Sequence, residues 1–320
     1  MKSRSVSITG ATGFVGWHLA EAFRLAGWRV RAIVRPGGVK PVPDDVERVE
    51  AAFHPATLSA AIGESDVVAH AAGLTRALDA SAFEFNVSGT RAVVDAVNAT
   101  GARLVLISSQ AAMGAGTISR PTREDDVPRP LTPYGRSKLA GEAVVRADAR
   151  TPWTIIRPTT VYGPRDRQFL PIFRLAARGI FLQVVPASTA FTFIHIDDLS
   201  RGVVLAAEGE RGSGQTLFLG HPDPLRADDL LRALADLFGR RYRPWHVPDA
   251  VLRAFAWGGQ LAWKFGEEPL LDRARLTELG ADGFVCAVDR AREVLGFTAA
   301  VTLPDGLART AQWYRNQGWV

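Results

Sequence analysis

The sequence predicts an α/β fold: a doubly wound parallel sheet with a smaller, interleaved C-terminal α/β lobe. Three observations carry that expectation. A β-rich run, Ser5-Val6-Ser7-Ile8-Thr9, passes at once through Gly10-Ala11-Thr12-Gly13-Phe14-Val15-Gly16 into a helical pattern that reaches Ala26. Short apolar strands then alternate with helices as far as Pro158, the order parallel pairing requires, because each crossover needs a helix-sized connection. Beyond Gly163 the alternation weakens and most of the tryptophans follow residue 240, so a differently built lobe is expected over 164–320.

Each element has its own signal. Gly10 permits a tight turn, Gly13 lets backbone approach a pyrophosphate, and Gly16 lets the helix pack on the strand. The helix start then offers unpaired N–H groups and the positive end of a dipole to phosphate. A second strand over 28–34 ends at Arg35, where an acidic residue would hold a ribose 2′-hydroxyl. A guanidinium there reads either as a partner for a 2′-phosphate or adenine, which favours NADP over NAD, or as a surface arginine at a strand end. Residues 46–53 read as a third strand and 55–62 as a helix. A buried strand from Ser65 then runs into the small-residue loop Ala71-Ala72-Gly73, against which a flat cofactor can lie. His70 either lines that loop or satisfies a core contact.

A helix over 80–99 carries Asn86, with Phe85, Val93, Val94 and Val97 as its core-facing stripe. Residues 103–107 form a strand ending at Ser108-Ser109-Gln110, and ligands gather at the carboxyl ends of strands in an open parallel sheet. A proline- and charge-rich loop over 118–133 leads to a helix from Tyr134 to about Ala149, and 153–158 is the sixth strand. After a turn-rich crossing at 159–165, helices are expected at 169–178, 197–208, 227–238, 251–265, 288–295 and 304–316, and strands at 191–196 and 216–219. Residues 1–163 read as the dinucleotide-binding domain, with 191–219 returning to it in part, and 164–320 as mainly a substrate-binding lobe.

Composition narrows the class. Hydrophobic residues at 47% and charged residues at 22% describe a soluble globular chain. One cysteine, Cys286, excludes an internal disulfide and fits a reducing compartment. The start, Met1-Lys2-Ser3-Arg4, leads into a strand without a signal-type apolar stretch, so a cytoplasmic location is expected. The formal charge of +5 comes from arginines spread along the chain, so a nucleic-acid partner is not expected. The apolar stretch 250–266 is broken by Arg253, Gln260, Lys264 and paired glycines, short of the ~20 apolar residues of a span. It reads as a helix of the second lobe, and no integral membrane segment is expected.

The chemistry centres on Tyr134 and Lys138, four residues apart and so one turn apart on one helix face. A phenol of ordinary pKa near ~10 is a poor acid or base at neutral pH, and a fixed cation beside it favours the phenolate. The pair reads as proton-transfer machinery, against the plain alternative of a solvent-facing helical pair.

Five stretches in order now stand together: Thr9-Gly10-Ala11-Thr12-Gly13-Phe14-Val15-Gly16, Ser108-Ser109, Tyr134-x-x-x-Lys138, Arg157-Pro158-x-x-x-Tyr162-Gly163-Pro164, and Phe193-Ile194-His195-Ile196-Asp197-Asp198. Over nearly its whole length the chain resembles the extended short-chain dehydrogenase/reductase superfamily, the NAD-dependent epimerase/dehydratase family. The resemblance implies a Rossmann fold and a catalytic set of Ser109, Tyr134 and Lys138. Tyr134 would exchange a proton with the substrate oxygen, Lys138 would hold the nicotinamide ribose, and Ser109 would hydrogen-bond the reacting oxygen. Asn86, in the Asn-Val-x-Gly-Thr pattern, would either help order that set or organise its helix. Cofactor contacts are implied at Gly10, Thr12, Gly13, Phe14, Val15, Gly16, Ala71, Ala72, Gly73, Pro158 and Val161, beside Tyr134 and Lys138. A possible homodimer would pair the helices over 80–99 and 133–149. No metal site is expected.

Three departures bear on the ligands. Ala51-Ala52-Phe53-His54 stands where many relatives carry an Asp-Leu or Asp-Ile pair that contacts adenine, and Met113-Gly114 stands where Tyr-Gly is common. Phe191-Thr192 replaces the Arg-Asp with which nucleotide-sugar members grip a pyrophosphate. Losing that clamp removes an interaction worth ~1.5–3 kcal/mol. Met113, Tyr162 and Phe191 are therefore the expected substrate contacts, and the pattern is nearest the 3β-hydroxysteroid dehydrogenase and dihydroflavonol reductase-like branch. The expected activity is hydride transfer between a nicotinamide and a secondary alcohol or ketone of a largely apolar, sterol-like or polycyclic, small molecule. A nucleotide-sugar epimerase or dehydratase, with Arg165 or Arg167 as the clamp, and a non-catalytic NAD(P)-binding subunit are the alternatives.

Overall fold

A computed structural model describes residues 4–77, 79–264 and 273–320. In chain order its strands are β1 (Ser5–Thr9), β2 (Arg29–Val34), β3 (Glu47–Glu50), β4 (Val67–His70), β5 (Arg103–Ile107), β6 (Trp153–Pro158), β7 (Thr160–Tyr162), β8 (Phe181–Gln183), β9 (Ala190–Phe191), β10 (Phe193–His195), β11 (Gln215–Leu219), β12 (Leu225–Arg226), β13 (Pro244–His246) and β14 (Gly283–Phe284). The helices are α1 (Phe14–Leu25), α2 (Pro55–Ile62), α3 (Glu84–Thr100), α4 (Pro133–Asp148), α5 (Leu170–Ala177), α6 (Ile196–Glu208), α7 (Ala227–Leu237), α8 (Asp249–Lys264), α9 (Arg273–Leu279), α10 (Asp289–Leu295) and α11 (Leu303–Asn316). The helix expected over 251–265 is α8; Phe265 and Gly266 lie outside the described residues.

A seven-stranded sheet, ordered β11-β6-β5-β4-β1-β2-β3, runs parallel throughout. β1 shows how sequence sets its two faces. Val6 and Ile8 join a core with Leu19 and Phe23 of α1 and Leu199 and Val203 of α6. Ser5, Ser7 and Thr9 are buried on the alternate positions, and each finds a side-chain partner: Asp66, Ser65 and His70. The other face of the sheet is covered by α2, α3 and α4 through Leu58, Val93, Val97, Val144 and Val145. The expected doubly wound parallel sheet is what forms, and strand order reverses between β1 and β4, the switch point at which such sheets open a crevice.

The C-terminal lobe is held by an aromatic cluster that includes Phe173, Phe181, Phe193 and Tyr314. Two local expectations change here. The strand expected over 191–196 is broken at Thr192 into β9, which pairs with β12 and β14, and β10, which pairs with β7. Thr192 joins the two small sheets: its N–H donates to Phe284 O at 2.9 Å and its carbonyl accepts from Thr160 N at 3.1 Å. The crossing at 159–165 accordingly contains β7. Upstream, the helix expected from residue 80 begins as a single 3₁₀ turn, Ala80–Phe83, capped by Asp79, before α3.

Candidate active site

The glycine turn after β1 is built for close approach. Gly10 has φ 76°, and a Cβ placed on it would lie 2.6 Å from Ala72 N. The loop after β4 therefore packs directly against the turn, and a side chain would separate them. A Cβ on Gly16 would lie 2.1 Å from Gly10 O, so only glycine lets α1 start so near the strand. Gly13 caps α1 without a side-chain bond, and the first turn holds no acidic residue. The helix start thus keeps its N–H groups for an anion, which fits the diphosphate of a dinucleotide.

At the end of β5 the chain makes a 3₁₀ turn, Gln110–Ala112, whose first N–H groups are capped by Ser109 Oγ, accepting from Ala111 N at 3.1 Å. The start of α4 rests on this turn: a Cβ on Gly135 would come 2.2 Å from Ala111 O. That contact sets Tyr134 near Ser109, whose hydroxyl favours the ionised phenol. Thr132 caps α4 by accepting from Gly135 N at 3.2 Å, and Pro133 occupies the first turn. Lys138 Nζ donates to Ile107 O at 2.8 Å, so the ammonium lies at the carboxyl end of β5.

Electrostatics depart from the simple pair. Burial pushes the Tyr134 phenol up to about 12, the Ser109 hydroxyl pulls it down, and Glu278 adds to the rise. The expected lowering by Lys138 is not what governs it; desolvation is larger. Burial instead pulls the Lys138 ammonium down to about 8, against the raising effect of Glu142. Tyr134 is a phenol and not a phenolate at neutral pH, and Lys138 is the group that titrates near it.

Two buried networks hold these groups. Asn86 Oδ1 accepts from Leu74 N at 2.7 Å, while its Nδ2 donates to Leu74 O and to Ser137 Oγ, each at 2.9 Å. Ser137 Oγ in turn donates to Tyr134 O at 2.7 Å. Thr90 Oγ1 donates to Asn86 O at 2.7 Å, so it accepts from His70 Nε2 at 3.2 Å, and Thr9 Oγ1 donates to His70 Nδ1 at 2.7 Å. His70 is thus a neutral bridge; burial and Lys138 hold it down to about 3. The second network is ionic. Arg157 Nε and Nη2 clasp Glu142 at 2.9 and 2.7 Å, Ser108 Oγ donates to the same carboxylate at 2.5 Å, and Arg146 adds a bond at 2.9 Å. Burial raises Glu142, but Arg157, Ser108 and Arg146 together hold it below the ordinary carboxylate range.

A continuous cleft of about 1580 Å³ joins the cradle to the C-terminal lobe. Of the residues expected from sequence, Gly10, Gly13, Phe14, Val15, Gly16, Ala71, Gly73, Ser109, Tyr134, Lys138, Pro158, Val161 and Phe191 line it. Six do not. Thr12 belongs to the turn, and Ala72 packs beneath Gly10. Arg35 stands exposed one residue past β2. Asn86 positions the loop after β4 and α4 without reaching the cleft, because its amide is fully engaged. Met113 is turned into a buried cluster with Phe218 and Cys286, and Tyr162 into the aromatic core against Phe193 and His195. Neither is a wall of the substrate space. Arg165 lies over Trp17 and Arg167 over Trp319, so neither provides the alternative clamp; among the described residues the cations lining the cleft are Lys138, Arg76 and Arg275.

Sequence reasoning missed Asp166, Gln183 and Glu278, which also line the cleft. Asp166 is pushed by burial to about 6 and accepts from Gln168 N and Phe169 N at 2.8 and 3.1 Å. Gln183 Nε2 is buried with no hydrogen-bond partner among the described residues. No local motif marks any of the three; the fold brings them in from distant segments.

The NAD dependent epimerase/dehydratase family model matches residues 6–220. The ceramide reductase of Caulobacter vibrioides is 33% identical over 98% of this chain and 96% of its own length. A ketoreductase of Stigmatella aurantiaca named for 4-hydroxy-2-methyl-3-oxo-4-farnesyl-3,4-dihydroquinoline-1-oxide is 29% identical over 94% of this chain and 93% of its own. A solved structure of MoeE5 in complex with UDP-glucose and NAD superimposes with a TM-score of 0.77 at 26% identity, covering 98% of this chain and 99% of that one. With its glycine cradle and its Ser109, Tyr134 and Lys138 at one sheet edge, the chain belongs to the NAD-dependent epimerase/dehydratase family, enzymes of the extended short-chain dehydrogenase/reductase superfamily.

Proposed function

We propose that the protein is an NAD(P)-dependent ketoreductase for a largely apolar molecule, long-chain or polycyclic. The observation that carries this reading is the cleft beyond Tyr134. Phe191 lines it where a nucleotide-sugar enzyme has a pyrophosphate-gripping arginine, and Phe169, Ile172, Leu175, Leu182, Val185 and Phe284 extend the apolar wall. The two curated relatives described above are named for a ceramide and a farnesylated quinoline oxide, both with long hydrocarbon chains.

The start of α1 would hold the diphosphate of a nicotinamide cofactor and Lys138 its ribose, and the cofactor would supply the hydride for the carbonyl carbon. Tyr134 gives its phenolic proton to the carbonyl oxygen, and Ser109 holds that oxygen and stabilises the charge that develops on it. A phenol kept protonated by burial suits this direction, reduction. Lys138, charged below about pH 8, offsets the phenolate left behind.

Arg35 favours NADP, as a cation at the end of β2 where an acid would select NAD. The nucleotide-sugar reading is favoured by the likeness to the MoeE5 complex and by Arg76 and Arg275 in the cleft wall. Steady-state assays of long-chain and polycyclic ketones against UDP-hexoses, each with NADH and NADPH, separate the two readings. Ketone reduction is the expected result, and turnover of UDP-hexoses alone would contradict the proposal.

A further inference from the structure

Several of the large apolar side chains exposed on the surface are gathered in one place. Trp245 is 72% exposed, Phe255 and Trp257 are each 68% exposed, and Ile180, Leu182 and Val251 stand open beside them in sequence and pairing. β8 and β13 pair in parallel with Leu182 opposite Trp245, which puts those two side chains on the same face of the ribbon. On α8, Val251 and Phe255 are four residues apart and share a face, while Leu252 and Ala256 are buried on the neighbouring one. Ile180, Leu182 and Phe255 also line the cleft. The patch is therefore the rim of the cleft's mouth, and one apolar surface runs from solvent into the cavity.

The rim is also basic. Between residues 237 and 258 stand four arginines, Arg240, Arg241, Arg243 and Arg253, against one carboxylate, Asp249. All four are exposed, as is Arg178 at the end of α5. Arg240 Nε donates to Ala177 O at 3.0 Å, which ties this segment to α5. The nearby Asp228 is already held by Arg232 and Tyr242. Arg241, Arg243 and Arg253 form no ion pair among the described residues. Exposed tryptophan and phenylalanine beside unpaired arginine is the composition of a surface that sits in the headgroup region of an anionic bilayer. The excess of arginine over carboxylate, four to one, makes the matching surface an anionic one. No described helix is long and apolar enough to cross a membrane, so α8 would lie on the bilayer and not through it.

We propose that this face, formed by β8, β13 and the first part of α8, docks the protein on an anionic lipid surface. Trp245 and Phe255 enter the boundary between headgroups and acyl chains, and the arginines meet lipid phosphates. The mouth of the cleft then opens at the bilayer, and an apolar substrate passes from lipid to Tyr134 without crossing water. That last step rests on the ketoreductase reading; the docking does not.

The test is sedimentation of the full chain with phosphatidylcholine vesicles, with and without phosphatidylglycerol, at low and high salt. Binding is expected to the anionic vesicles only and to weaken with salt. Arg241→Glu with Arg243→Glu should weaken partitioning by on the order of tenfold or more. Trp245→Ser should weaken it comparably through lost apolar insertion, and thermal melting checks that each variant is folded. No binding, or equal binding by parent and variants, would overturn the proposal. So would a dimer in sedimentation velocity that Trp245→Ser dissolves with no vesicle binding, since the face would then serve a second copy. Vesicle binding with no turnover of any ketone would leave docking standing and remove the ketoreductase reading.

Discussion

Tyr134 carries the proton in this account, and its surroundings decide which way the proton moves. Burial has driven the phenol up to about 12, so at neutral pH it is a donor. Tyr134→Phe is expected to lower kcat for ketone reduction roughly 10²- to 10⁴-fold with cofactor affinity unchanged, as read by titration of intrinsic fluorescence. Lys138 sets the pH dependence. Its ammonium, pulled down to about 8, is charged below that pH and neutral above it. The kcat/KM of reduction should therefore fall as pH rises through about 8, and Lys138→Arg should move that limb upward; a limb unmoved in the variant would assign it to another group. The positions of Ser109, Tyr134 and Lys138 were legible because a strand end and a four-residue helical step are local geometry; their grouping as one set came from the family resemblance. Met113 was not, since position four past Ser109 says nothing about which side of a 3₁₀ turn the side chain leaves. It leaves toward Phe218 and Cys286.

Glu142 and Arg157 join α4 to β6 in a pair with almost no solvent. Glu142→Gln would leave the guanidinium buried without its counter-charge and is expected to cost ~3–5 kcal/mol in urea unfolding. Adding Arg157→Met should restore part of that loss, because the stranded charge goes with it. Elements were readable wherever a local rule sufficed. β1, α1 and β5 follow from alternation, glycines and helical period, and β1, α2, β5 and β6 keep their expected bounds. The break between β9 and β10 was hidden, because Thr192 is fixed by the backbone of Phe284, far along the chain. The pairing of Glu142 with Arg157 was hidden for the same reason: each looks like an ordinary charge until α4 is laid on the sheet.

At the scale of the molecule, the cleft is assembled from segments that no spacing connects. Phe169, Gln183, Phe191, Phe255 and Glu278 meet only because the second lobe folds over the switch point between β1 and β4. The part of the cleft built by the seven-stranded sheet was therefore open to sequence reading, and the part built by the C-terminal segments was not, apart from Phe191. Cofactor choice belongs to this scale as well. Calorimetry should show NADPH bound more tightly than NADH, with the difference lost in Arg35→Asp; equal affinities in the parent would remove the role given to Arg35. The central claim is that this cleft presents an apolar ketone to hydride and to the Tyr134 proton. Its most direct test is to supply 4-deuterated NADPH with a long-chain ketone and locate the label by mass spectrometry. One deuterium on the new carbinol carbon in the parent, and the same labelled product formed about 10²- to 10⁴-fold more slowly by Tyr134→Phe, is the predicted result. No label in any apolar ketone, with UDP-hexose interconverted on retained cofactor, would contradict it.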